Sequence, residues 1–220
     1  MSTRTDPHSA VPIRVDRRAV RRQDTKDEII AAAWDLVREN GLAGLAMRDL
    51  GERVGMKAQS LYSYFDSKLE IYDAMFHEGY LALATRFDDL RHGVEDGAGA
   101  SGAEVVHLAA HLFFDFCTSD QVRYQLLFQR TIPDFVPSEE SYTLALSVYE
   151  EMTALMAAFG ITDQDTVDLW TALLTGFSDQ QISNDPGGDR WKRLLDRAVD
   201  MFLTVNAPDL ANENPERQRP

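Results

Sequence analysis

The sequence predicts an all-α protein of about nine helices, with a three-helix head built on a helix-turn-helix and a larger helical body behind it. Three observations carry that expectation. Apolar residues recur at helical spacing, first at Met47, Leu50 and Val54, which fall at i, i+3 and i+7. The stripes have start and stop signals: Thr25-Lys26-Asp27-Glu28 and Ser67-Lys68-Leu69-Glu70 have capping-box spacing, and Gly41, Gly55, Gly160 and Asp185-Pro186-Gly187-Gly188 stand where helices end. Charge is also unevenly divided. The net charge is −14, yet residues 1–72 hold twelve Lys/Arg against eleven Asp/Glu, so nearly all the acidity lies in the body. Such a body is repelled by a polyanion, which leaves the N-terminal part as the surface a polyanion would meet.

Taken in order, residues 1–24 lack helical periodicity, contain Pro7 and Pro12, and read as a flexible basic arm. Arg14, Arg17, Arg18, Arg21 and Arg22 crowd its end, suited either to phosphates and a minor groove or to a solvated tail. The first helix is expected from the Thr25 box, buries Ile29, Ala33, Leu36 and Val37, and ends at Gly41. Leu42 and Leu45 close a small core. Gly51 falls inside the second helix, where it costs about 1 kcal/mol relative to Ala, a cost that makes sense if the next helix crosses close by.

That next helix is expected over Lys57–Tyr64. Leu61 and Phe65 share its inner face and pack back onto Leu50 and Val54. At roughly 100° per residue the opposite face carries Gln59, Ser60 and Ser63, with Tyr62 and Tyr64 on the flanks. A polar ridge between two hydroxyl-bearing aromatics suits a rod lying in a major groove: the ridge reads base edges and the flanks touch phosphates. Lys57 at the helix N-terminus opposes the macrodipole by about 0.3–1 kcal/mol, which fits an external anion. An ordinary helical hairpin with a solvated face would show much of the same pattern.

The words MRDLGERVGMKAQSLYSYF and DSKLEIY go further. They resemble the DNA-binding segment of the tetracycline-repressor (TetR) family of bacterial regulators, with Leu61, Tyr62, Tyr64, Phe65, Ser67 and Lys68 in the family's order. Two positions depart from the pattern: Ala46 stands where the family usually has a capping Thr, and Ser63 where a large or basic residue is common. The resemblance implies a dimer on double-stranded operator DNA. Gln59, Ser60 and Ser63 would face bases, Arg48 would reach a base or phosphate, and Lys57, Tyr62, Tyr64 and Lys68 would hold phosphates. Residues 25–72 would form the DNA-binding domain, residues 73–206 a domain for effector binding and dimerisation, and residues 207–220 a disordered tail.

The helix opened by the second box is expected to run to about Arg91, linking head and body, and a Gly-rich loop follows at 92–103. Beyond it lie VVHLAAHLFFDFC and VRYQLLFQR, broken by Pro133 and Pro137, then helices over about Glu139–Phe159, Asp163–Asn184 and Asp189–Val205. The central aromatics are compatible with plain core. The resemblance implies instead a cavity for a small, mostly apolar effector, with His107, His111, Phe114, Tyr124, Phe128, Tyr149, Trp170 and Phe177 as candidate lining. The last two helices carry stripes at Trp170, Leu173, Leu174 and Phe177, and at Trp191, Leu194, Leu195, Ala198, Phe202 and Leu203, broad enough for a homodimer bundle.

His107, His111 and Asp115 share a helix face at i, i+4 and i+8, but Leu108 stands where the zincin word needs Glu, so no metal and no cofactor are expected. The single Cys117 cannot pair within the chain, which favours a reducing cytosol, and the charged N-terminus does not read as a signal peptide. No apolar run reaches the 18 or so residues of a membrane span. No nucleophile elbow, phosphate loop or recognisable carboxylate pair points to an enzyme. A helical ligand-binding or scaffold protein without DNA binding is the remaining alternative.

Overall fold

The computed structural model describes residues 16–96 and 100–211. Among them every regular element is helical: α1 Arg17–Asn40, α2 Met47–Arg53, α3 Ala58–Leu61, α4 Lys68–Asp96, α5 Gly102–Ser119, α6 Gln121–Phe128, α7 Glu139–Ala158, α8 Gln164–Asn184, α9 Lys192–Asn206 and α10 Pro208–Ala211. The expected all-α architecture is present, with ten helices rather than about nine. One extra element comes from Asp120, whose carboxylate accepts from the Arg123 N–H and starts α6 directly after α5.

The first helix begins earlier than its sequence suggests. Asp16 is the cap, its carboxylate accepting from the Arg18 and Ala19 N–H groups, and α1 is continuous from Arg17. Thr25 lies inside the helix and donates its hydroxyl to the Arg21 carbonyl. The expected start at Thr25 is therefore corrected, and only residues 1–15 of the expected arm lie outside the described residues. The physical reason is plain: Arg17–Gln23 are exposed all round, so this part of α1 covers no core and shows no apolar stripe. The tail is corrected too. Ala207 and Leu210 are buried and α10 packs back on the body, while 212–220 lie outside the described residues. Residues 97–99 of the expected Gly-rich loop also lie outside them.

In the head, Ile29, Ala33, Leu36 and Val37 of α1 meet Leu42, Leu45, Leu50, Leu61 and Phe65. This core runs without a break along α4 through Ile71, Tyr72, Met75, Phe76 and Leu83 to Phe116, Tyr124 and Val148 of the body. The Tyr72 hydroxyl donates to the Leu42 carbonyl, and burial pushes the phenol pKa up to about 12. A second apolar cluster joins Ala103, Val106, Ala110 and Phe114 of α5 to Met156, Trp170, Leu174, Leu195, Val199 and Phe202. Two polar ties fasten head to body, Trp34 Nε1 to Glu78 at 3.0 Å and Arg38 to Asp120 at 2.9 Å, and the Ser138 N–H to Asp73 at 2.7 Å seats α7 on α4.

Candidate nucleic-acid interface and ligand cavity

The interface is built from α2, the turn after it, and α3. Gly55 at φ +71° makes the turn, and the Met56 N–H donates to the Gly51 carbonyl at 2.8 Å. Gly51 is buried against this turn: a Cβ there would sit 2.7 Å from the Met56 carbonyl oxygen and 3.1 Å from the Ala58 nitrogen. The close crossing expected from a glycine inside α2 is thus present. Ala46, in the cap position of α2, makes no side-chain cap bond.

The segment expected as a helix over Lys57–Tyr64 is regular only across Ala58–Leu61. It continues as tighter turns, with Ser63 N–H to Ser60 O at 3.1 Å and Tyr64 N–H to Leu61 O at 2.9 Å. Leu61 and Phe65 are buried inward. Lys57, Gln59, Ser60, Tyr62 and Ser63 are all exposed and stand together on the outer side. Ser63 donates its hydroxyl to the Ser60 carbonyl at 2.7 Å, which leaves its lone pairs free to accept. Tyr64 is half-buried under the Arg22 guanidinium, 4.9 Å from ring centre, and Arg22 Nη2 donates to the Ser63 carbonyl at 2.6 Å. Lys68 is half-buried, its ammonium 5.4 Å from the centre of the Tyr72 ring. Arg48 is exposed but shared between Asp49 at 3.2 Å and Glu52 at 3.8 Å on its own helix.

The body holds a cavity of about 230 Å³ at the seam of the two apolar clusters. Tyr80, Leu83 and Phe87 of α4 form one wall; Phe113, Phe128, Val148, Tyr149, Met152, Trp170 and Leu174 are among the rest. Among the described residues, no charged side chain lines it. Burial pushes the Tyr80 phenol up to about 12, so it stays protonated, and its hydroxyl donates to the Leu127 carbonyl at 3.4 Å. The Tyr149 hydroxyl accepts from exposed Gln164 at 2.7 Å, marking an edge of the cavity near solvent.

Of the eight candidate lining residues, Phe128, Tyr149 and Trp170 line the cavity; His107, His111, Phe114, Tyr124 and Phe177 do not. Phe114 and Tyr124 are core, and Phe177 packs on Trp191. The two histidines face α9 instead. His107 is buried with its ring nitrogens 3.0 Å from Asp196 and 2.9 Å from Asp200, His111 reaches Asp196 at 2.9 Å, and Asp115 pairs with Lys192 at 2.6 Å. The face at i, i+4 and i+8 of α5 thus meets one of matching spacing, Lys192, Asp196 and Asp200, on α9. Burial would raise the Asp196 pKa, but hydrogen bonds and charge from His111 and then His107 outweigh it and hold the carboxyl below the ordinary range. The α4 wall is not among the candidate lining, although Tyr80, Leu83 and Phe87 recur at i, i+3 and i+7 and signal an inward face.

Comparison with known proteins agrees with this head. The family described as bacterial regulatory proteins, tetR family, matches residues 29–75, from the core of α1 through the turn and α3 into α4. By this match the head, residues 29–75, is of the TetR type. The transcriptional activator FasR of Mycolicibacterium smegmatis is 28% identical over 110 residues, covering 49% of this chain and 47% of FasR, so the match spans about half of that relative's length. A TetR/AcrR-family regulator from Thermobifida fusca shares the fold with TM-score 0.56 at 22% identity, over 83% of this chain and 98% of that one. FadR of Bacillus subtilis, solved with stearoyl-CoA, superposes with TM-score 0.62 at 16% identity over 81% and 97%. Among the described residues, no helix is long and apolar enough to cross a membrane.

Proposed function

We propose that this TetR-family chain is a dimeric, effector-responsive transcriptional repressor that binds a palindromic operator. In this reading residues 25–72 are the DNA-binding unit and residues 73–206 carry effector binding and dimerisation. Gln59, Ser60 and Ser63 face base edges, Arg48 reaches a base or phosphate, and Lys57, Tyr62, Tyr64 and Lys68 hold phosphates. Exposed apolar side chains on the last helices, Leu169, Leu194, Met201 and Val205, support a two-fold partner there. A dimer presents two α3 segments about 34–36 Å apart, the spacing of successive major-groove faces. The protein works in the cytoplasm, without catalysis, metal or cofactor.

The observation that carries the proposal is that α4 serves both sites. Its first turns, through Tyr72 and Met75, complete the head core, and about 12 Å further along, at 1.5 Å per residue, Tyr80–Phe87 wall the cavity. A ligand that fits the cavity in only one setting of α4 favours one spacing of the two heads, by no more than its difference in affinity for the two settings. The uncharged lining favours an apolar effector, or the hydrocarbon part of a larger one; the similar FadR of Bacillus subtilis was solved in complex with stearoyl-CoA.

The test is a gel shift on DNA upstream of the chain's own reading frame. Native protein should give a salt-sensitive, sequence-selective shift. Gln59→Ala should lose discrimination among sites, while Lys68→Ala should weaken all sites and lower the salt dependence by about one phosphate contact per subunit. Unchanged site preference in Gln59→Ala would reject the base-reading assignment. The absence of any selective shift by native protein would favour a ligand-binding or scaffold role.

A further inference from the structure

The longer α1 places a basic stripe beside the recognition segment. Arg18, Arg22 and Lys26 follow at i, i+4 and i+8, one face of the helix. Two of the three rest on the end of the segment: Lys26 lies 5.0 Å from the centre of the Phe65 ring, and Arg22 bonds the Ser63 carbonyl and covers Tyr64. Arg18 is about one turn further out, roughly 6 Å beyond Arg22 along the axis, and Arg21 stands beside it. Both are exposed, and neither forms an ion pair among the described residues. At roughly 100° per residue, Arg18, Arg21, Arg22 and Lys26 fall within an arc of about 140°, while Asp16, Asp24 and Asp27 occupy the opposite side. Gln23 on the helix bonds Asp27 at 2.7 Å, away from the stripe.

From this geometry we infer that the N-terminal turns of α1 are a second DNA-contacting element, in which Arg18 and Arg21 hold backbone phosphates next to the groove occupied by α3. The occupant is the duplex that α3 reads: the stripe is continuous with the recognition segment through Arg22 and Ser63, and its charge is opposite to that of DNA. Arg22 and Lys26 are positioning residues, spent on fixing Tyr64 and Phe65; Arg18 and Arg21 keep their guanidinium groups for the ligand. This inference rests on the operator-binding reading and adds sequence-independent affinity to it.

The experiment compares native protein with the double variants R18Q/R21Q and R18K/R21K. The probe is a duplex of about 40 base pairs selected by native protein from a random pool, titrated at several salt concentrations. Each phosphate contact contributes about −0.9 to the slope of log K against log salt, so two arginines on each of two subunits predict a slope shallower by roughly 3–4 in R18Q/R21Q. Affinity at about 0.1 M salt should fall at least tenfold, with ranking among mutated sites unchanged. R18K/R21K should keep the native slope, because a phosphate accepts an ammonium as a point charge. A native slope and affinity in R18Q/R21Q overturn the inference alone. An equal loss in both variants also overturns it, because charge is then not the cause. If native protein selects no duplex, the inference and the regulator reading fall together.

Discussion

Gly51→Ala isolates the contact on which the recognition segment is mounted. In an open helix the substitution stabilises by about 1 kcal/mol, because alanine loses less backbone entropy. Gly51 is not open. The new methyl carbon would sit 2.7 Å from the Met56 carbonyl oxygen and 3.1 Å from the Ala58 nitrogen, and both are backbone atoms that no side-chain rotation can remove. Relief needs a shift of the turn, which also strains the Met56 N–H to Gly51 carbonyl bond of 2.8 Å. Overpacking of this kind costs about 1–3 kcal/mol and the weakened hydrogen bond about 1 more. The propensity gain is therefore outweighed, and Gly51→Ala should destabilise by about 1–3 kcal/mol. Gly93, exposed in α4 with nothing within 4 Å of an added Cβ, is the control, and Gly93→Ala should stabilise by up to about 1 kcal/mol. Urea denaturation midpoints of the two variants against native protein measure both signs. If Gly51→Ala matched or exceeded the native midpoint, the account of the α2–α3 crossing would be refuted, whatever its effect on DNA binding.

Two further outcomes follow from the body. Cys117 is buried and its thiol is pushed up to about 12 by burial, so it should resist a disulfide reagent at pH 8 in native protein and react at once in denaturant; stoichiometric labelling of the native fold within minutes would contradict this. The Asp196 carboxyl, held below its ordinary range, contributes stability above the unfolded aspartate pKa of about 3.9 that is lost as pH falls through the folded value. His107→Ala and His111→Ala together should flatten that acid limb in thermal melts, by a small amount because the Asp196 side chain is 52% exposed, and an unchanged limb would show that the histidines do not hold the carboxylate.

Legibility in the sequence followed burial. The head core was readable because Ile29, Ala33, Leu50, Leu61 and Phe65 each repeat a helical period and each is buried. The turn was readable because Gly51 and Gly55 are costly anywhere else. The first two turns of α1 were not, because Arg17–Gln23 bury nothing and only the Asp16 cap marks their start. The cavity was half legible for a different reason. Composition and period show that Phe114, Phe128 and Tyr149 face inward, but not whether the space in front of each is filled. Phe114 meets a neighbour, whereas Phe128 and Tyr149 meet the void, and that depends on how α4, α5, α7 and α8 are set against one another. The histidines misled because a polar group at an inward position reads equally as a pocket lining or as a partner for another helix, and the partners on α9 lie 85–93 residues away in sequence.

The ties between head and body limit how a signal can pass. A head hinged on α4 alone would pivot freely, but α1, tied to α4 by Trp34 and Glu78, is also held at a point away from α4 by Arg38 to Asp120, and Asp120 is the cap on which α5 gives way to α6. The Arg38–Asp120 pair is half exposed on the arginine side and only 11% exposed on the aspartate side, so separating it leaves a poorly solvated carboxylate oxygen without its guanidinium partner. Any tilt that kept this pair would have to move α4 and the α5–α6 junction together. Both elements wall the cavity, through Tyr80, Leu83 and Phe87 on α4, Phe113 on α5 and Phe128 on α6. A molecule wedged between those walls therefore pushes on both attachments of the head at once, whereas one bound to α7 or α8 alone would push on neither.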